Sequence, residues 1–205
     1  MGEANSLYLI DLSNWIHRAY HVAPALTHKQ KPVGALKIFI GMAEAFARGR
    51  GRHIVFCTDC PRTESWRYEL VASQYTDADM QYKGGRHHDA EKSKALAYQI
   101  PIAIQMLEAA GFLVCGSPHQ EADDCLATLA HRFRDHGAVI CTRDKDCAQM
   151  IGDGISVLQQ GSGERWLRTV DDCLDVYGVR PDQIIDYLAL SGDIVTGKQI
   201  GRAHV

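Results

Sequence analysis

Four short apolar runs, at residues 7–10, 53–58, 112–116 and 138–142, each give way within a few residues to carboxylates. Between them lie longer segments, such as 34–47 and 91–110, in which apolar residues recur at helical spacing. Short strands alternating with helices predict an α/β fold. Strands that are apolar throughout, rather than at every second residue, predict burial on both faces. The expected architecture is therefore three layers, α/β/α, around a central and mainly parallel sheet. A fifth strand is expected at 155–159.

Parallel strands end along one edge of such a sheet, and ligands bind there. Asp11 follows the first run and Asp59 the second. Glu121, Asp123 and Asp124 come shortly after the third, and Asp144 and Asp146 after the fourth. A single Asp behind a strand is an ordinary turn or N-cap residue. Four strand ends that all behave this way predict a cluster. Seven like charges together repel by several kcal/mol at intermediate dielectric, so the cluster calls for cations. Oxygen-only ligands select a hard cation, Mg²⁺ or Mn²⁺, over Zn²⁺. Glu121 and Asp124, three apart, share a helix face whose N-terminus eases their charge.

The remaining chain is less informative. Thr169-Val170-Asp171-Asp172 opens a short helix, and Arg180-Pro181-Asp182 opens another that runs to about residue 190. Residues 64–86 are less regular, interrupted at 75–79 and at Gly84-Gly85, and are expected to form an exposed, mobile excursion. A chain of 205 residues with 46% apolar content is enough for one domain with a real core. It has neither a membrane-spanning run nor a signal segment, which predicts a cytoplasmic protein. Seven scattered cysteines read as reduced core thiols. A net charge of -3 gives no overall basic excess of the kind nucleic-acid binders show. Carboxylates gathered in one site lower the total while leaving basic residues free to cluster elsewhere.

Seven motifs carry a resemblance: Leu9-Ile-Asp-Leu-Ser-Asn14, Arg18-Ala-Tyr-His21, Trp66-Arg67, Tyr82-Lys-Gly-Gly-Arg86, Glu121-Ala-Asp-Asp124, Thr142-Arg-Asp-Lys-Asp146 and Asp186-Tyr-Leu-Ala-Leu-Ser-Gly-Asp193. In these the chain resembles, over residues 7–193, the bacterial and phage 5′–3′ exonuclease and flap endonuclease family. That family includes the N-terminal nuclease domain of bacterial DNA polymerase I. The resemblance implies two metal sites, one served by Asp11, Asp59, Glu121, Asp123 and Asp124, the other by Asp144, Asp146 and Asp193. It implies a helical arch over residues 64–94 that passes a single-stranded 5′ end, with Lys83 and Arg86 at its base touching the scissile phosphate. It further implies DNA contacts by Arg18, Tyr20, Arg67 and Tyr82, and hydrolysis to 5′-phosphate products in replication or repair. The expected partner is DNA with a 5′ end or flap, bound by a monomer. Burial of Tyr20 against the sheet is an equal alternative, because it sits in an apolar-periodic stretch with Ile16.

The family pattern continues past Gly192-Asp193 with a second Asp three residues on and then a helix–hairpin–helix module that grips duplex DNA. Here Thr196 stands at that spacing. Residues 194–205 depart from the family, and Ile200-Gly-Arg-Ala-His-Val205 reads like a translated sequencing adapter. The expectation is a truncated chain with a weakened second metal site and little activity. Two alternatives stand beside the nuclease reading, a PIN-like ribonuclease and a DNA-binding module with little catalysis. Three other signals fail on their own chemistry. The phosphate-loop-like stretch 192–198 is followed by Gln199 instead of Ser or Thr. Cys57 and Cys60 have no second ligand pair, and His17 and His21 have no glutamate between them.

Overall fold

The computed structural model describes residues 6–51, 53–74, 89–161 and 163–191. Strand β1 (Leu7–Asp11) lies at the centre of a sheet, and a separate small hairpin pairs β2 (Thr27–His28) with β3 (Lys31–Pro32). The other sheet strands are β4 (Ile54–Cys57), β5 (Leu113–Cys115), β6 (Ala138–Cys141), β7 (Ile155–Gln160) and β8 (Glu164–Leu167). Their order is β5-β4-β1-β6-β7-β8. All neighbours pair parallel except β8, which folds back antiparallel on β7.

Side chains alternate faces along each strand, and here both faces are covered. Tyr8 and Ile10 of β1, Ile54 and Phe56 of β4, and Val139 and Cys141 of β6 join one core. Leu9, Cys57, Ala138 and Ile140 join the other. The first core is closed by α1 (Leu12–Val22), α2 (Gly34–Arg50) and α4 (Ala90–Ala109). Its centre is Trp15, edge-on to Phe46 at 5.3 Å and to Phe56 at 6.2 Å. Removing a buried ring of this kind costs about 3–5 kcal/mol. The second core is closed by α5 (Ala122–Phe133), α6 (Val170–Tyr177) and α7 (Ile184–Ser191).

The three-layer expectation stands, and the anticipated strands and helices begin and end within about three residues of those observed. One local expectation is corrected. Residues 64–86 were expected to be less regular, yet Trp66–Gln74 is a regular α-helix, α3, exposed as expected. None of its residues is buried, so no apolar stripe marks it in the sequence. Residues 75–88 lie outside the described part, and with them the middle of the arch expected at 64–94. Strand β8 also went unread, because an edge strand of sequence Glu-Arg-Trp-Leu has its first two residues exposed.

Tertiary contacts supply what local sequence does not. Val33 offers no side-chain cap to α2, and the Leu36 N–H donates instead to the buried Gln99 Oε1 of α4 at 3.1 Å. Gly34 is required where α2 crosses the end of α1, since a Cβ there would sit 1.8 Å from the Ala23 carbonyl oxygen. No helix among the described residues is long and apolar enough to cross a membrane. All seven cysteines are free, and five are buried.

Candidate metal centre

From β1 the chain crosses to β4 and β5 on one side and later to β6 and β7 on the other. The direction of winding therefore reverses between β1 and β6, and a crevice opens at their carboxyl ends. Asp11 ends β1 there and also caps α1, its Oδ1 accepting from the Asn14 N–H at 2.8 Å. Its Oδ2 accepts from the Thr142 hydroxyl at 2.9 Å, a bond that spans the crevice from β1 to the residue after β6. The same hydroxyl oxygen accepts from the Asp144 N–H at 3.1 Å, and Asp144 Oδ1 accepts from the Asp146 N–H at 3.0 Å. This chain of bonds fixes the loop that carries the second pair of carboxylates.

Asp59, two residues past β4, reaches the start of α5 and accepts from the Ala122 N–H at 2.7 Å and from the Ser13 hydroxyl. Glu121, Asp123 and Asp124 lie on the first turn of α5, where free N–H groups and the helix dipole favour negative charge. Asp11, Asp59, Glu121, Asp123, Asp124, Asp144 and Asp146 all line one open cleft of about 810 Å³. All seven carboxylates placed by sequence at the sheet edge are thus brought together.

Their electrostatics are unequal. Burial pushes the Asp11 carboxyl up to about 6, with repulsion from Asp59 and Asp144 added and the Asn14 and Thr142 bonds opposing it. Asp123 is pushed up to about 7, first by burial and then by Asp11, Asp144, Asp59 and Asp146. It accepts no hydrogen bond from any described residue. Asp124, the next residue, is held below the usual carboxylate range by Arg67, whose guanidinium grips both oxygens at 2.6 and 2.8 Å. Arg67 also lies 3.9 Å from Glu121 and stacks on Trp66, 4.7 Å from the ring centre.

Among the described residues no group of three ligating side chains is already closed around one point as a cation cage. Asp11, Asp59 and Asp124 spend oxygens on Thr142, Ser13, Ala122 and Arg67. The donor set nonetheless fits a hard cation. It is all oxygen, it is crowded with like charge, and Asp123 faces the cleft with both oxygens free of hydrogen bonds from the described residues.

Of the residues expected at DNA, Arg18 lines the cleft. Tyr20 packs partly buried against the first core, edge-on to His21. Arg67 is bound to Asp124. Tyr82, Lys83, Arg86 and Asp193 lie outside the described residues. Sequence reading missed Thr142, whose signal was a hydroxyl at the end of an otherwise apolar run, and Ser13, which sits inside the motif after β1.

A family model described as the 5′–3′ exonuclease, N-terminal resolvase-like domain, matches residues 6–178. The chain is 30% identical over 194 residues to a 5′–3′ exonuclease of Aquifex aeolicus, an alignment covering 93% of this chain and 62% of that protein. It is 32% identical over 194 residues to DNA polymerase I of Helicobacter pylori, covering 92% of this chain and 20% of the polymerase. The chain thus spans about three fifths of the one relative and one fifth of the other. Among solved structures it resembles the T5 D15 protein co-crystallised with metal ions, with a TM-score of 0.67 at 18% identity over 98% of this chain and 71% of that one. It also resembles the catalytic core of Rad2 in complex with DNA substrate, with a TM-score of 0.54 at 18% identity over 95% and 57% of the two chains. At these identities the structural likeness is one of fold.

Proposed function

The chain belongs to the 5′–3′ exonuclease family through its N-terminal resolvase-like domain, and from that premise we propose that it hydrolyses DNA phosphodiesters near 5′ ends or flaps, with divalent cations, to give 5′-phosphate products. The observation that carries this reading is Asp123. It is a carboxylate raised to about 7, first by burial and then by four neighbouring carboxylates, and it accepts no hydrogen bond from any described residue, so a bound cation would favour its charged form. The relatives named for exonuclease and for DNA polymerase I support DNA as substrate and a role in replication or repair.

In this reading Asp11, Asp59, Glu121, Asp123 and Asp124 would hold one Mg²⁺ or Mn²⁺, directly or through water. Asp144, Asp146 and Asp193 would hold a second. Such a pair, when bound, supplies the charge that activates a water and stabilises the leaving oxygen. The chain's own residues do the positioning. Thr142 holds Asp11 and the Asp144 loop in one register, and Ser13 and the Ala122 N–H orient Asp59. Arg18, on the cleft wall, offers a guanidinium to a phosphate that the carboxylates would repel. By the family resemblance, Lys83 and Arg86 would hold the scissile phosphate, with Tyr82 stacking on a base.

The test is cleavage of a labelled 5′-flap oligonucleotide by the purified chain. Products should carry 5′-phosphates, appear only with Mg²⁺ or Mn²⁺, and form faster from DNA than from the matched RNA. Undiminished cleavage in EDTA would refute the mechanism. Preference for RNA would favour a ribonuclease, and flap binding without metal-dependent cleavage would favour a binding module.

A further inference from the structure

Beside the acidic cleft lies a second cavity, of about 640 Å³, with the opposite charge. Arg18, Arg143 and Arg165 line it, together with Gln159, Gln160 and Gly161 of the β7–β8 hairpin. The carboxylate that shares this lining, Glu164, is already ion-paired with Arg50 and accepts from the Gln160 amide at 3.4 Å. Arg50 is in turn held over the Trp166 ring at 5.3 Å. The side chains of Arg18, Arg143 and Arg165 form no ion pair or hydrogen bond with a described residue. The Arg143 guanidinium lies against the hairpin turn, since a Cβ on Gly161 would come 4.0 Å from its Cζ.

Three guanidinium groups gathered without a counter-charge form an anion site for the reason that seven carboxylates form a cation site. Arg18 feels the strain, its guanidinium held below its ordinary range first by burial and then by Arg143. The two cavities share a wall, because Arg18 and His21 line both. Arg143 is the residue before Asp144, so one loop faces both. Planar forks match phosphate oxygens two at a time, and the two glutamine amides add neutral donors. We propose that this basic cavity is a second backbone-phosphate subsite, receiving a phosphodiester that flanks the one held at the carboxylates. The proposal rests on the nuclease reading for its ligand.

The experiment is fluorescence anisotropy of a labelled 5′-flap DNA in EDTA, which removes cleavage from the readout. R143Q/R165Q should bind about tenfold more weakly near physiological salt, and log K should fall with log salt less steeply, by about 1 for each arginine removed. R143K/R165K, which keeps the charges, should recover most of the slope. Melting curves matching wild type for both variants would separate lost contact from lost fold. A slope unaltered by R143Q/R165Q would overturn the subsite. So would inorganic phosphate at low millimolar concentration raising the wild-type melting temperature while DNA binding ignores the two arginines, because the cavity would then serve a free anion. A wild type that shows the arginine-dependent slope but cleaves nothing with Mg²⁺ sinks the nuclease reading and leaves the subsite standing. A wild type that cleaves, with a slope indifferent to the arginines, does the reverse.

Discussion

Asp123 and Asp124 are adjacent on the first turn of one helix, yet burial and four carboxylates push the first up to about 7 while Arg67 holds the second below its ordinary range. The two mark an inner and an outer region of the same cleft. In the inner region Asp11, Asp123 and Asp144 repel one another, and burial adds to that repulsion in raising Asp11 and Asp123. In the outer region α3 supplies Arg67, and the local charge is already satisfied. The same residue type on the same helix end is therefore strained or relaxed according to what the tertiary fold sets opposite it.

The largest expected effect falls on the inner region. Asp123→Ala or Asp144→Ala should lower metal-dependent cleavage by two or more orders of magnitude with little loss of folded structure, as read by single-turnover kinetics and circular dichroism. Asp123→Asn should melt at or above wild type in EDTA, because it removes repulsion. A clear loss of stability would mean that the repulsion is not there.

The pH dependence comes next. Asp11 and Asp123 have folded values near 6 and 7, above the ordinary carboxyl value, so between about pH 4 and 7 the folded state holds protons that the unfolded chain has released. Without metal, stability should fall as pH rises through that window. Saturating Mg²⁺ or Mn²⁺ should reverse the trend, since cations bind the deprotonated carboxylates, adding about 2.7 kcal/mol at a hundredfold excess over Kd. Thermal melts at pH 5 and pH 8, with and without metal, decide this.

The outer region should respond in the opposite sense and by less. Arg67→Ala leaves Asp124 without its fork and should cost about 1–3 kcal/mol near neutrality in urea denaturation. Asp124 lies low in the folded state, so its contribution is present above about pH 4 and fades as pH falls through the folded value. The Arg67→Ala deficit should therefore shrink toward pH 3.

Smallest of all is Thr142→Val, which removes one hydroxyl shared by Asp11 and the Asp144 N–H. About 1 kcal/mol of stability should be lost. Cleavage should fall more than stability does if that hydroxyl sets the register of the two carboxylate groups.

Much of this was legible without coordinates. The unbroken apolar runs announced strands buried on both faces, and the carboxylates behind them announced the sheet edge, because both follow from spacing along the chain. Helix α3 was not legible from periodicity, since a helix that buries nothing leaves little periodic trace. Strand β8 was hidden for a related reason, being a polar edge whose partner is a turn away. Arg67 was readable as a candidate for DNA contact but not as the partner of Asp124, 57 residues distant.

By itself, then, the sequence determined the fold class and which carboxylates gather at the sheet edge, because strand period and helix period are properties of residue type and spacing. The tertiary structure alone decided which carboxylates carry strain and which are neutralised, and that three arginines far apart in sequence gather beside them. Charge acts through space across elements that meet only when the sheet is wound, so its balance is set by the fold.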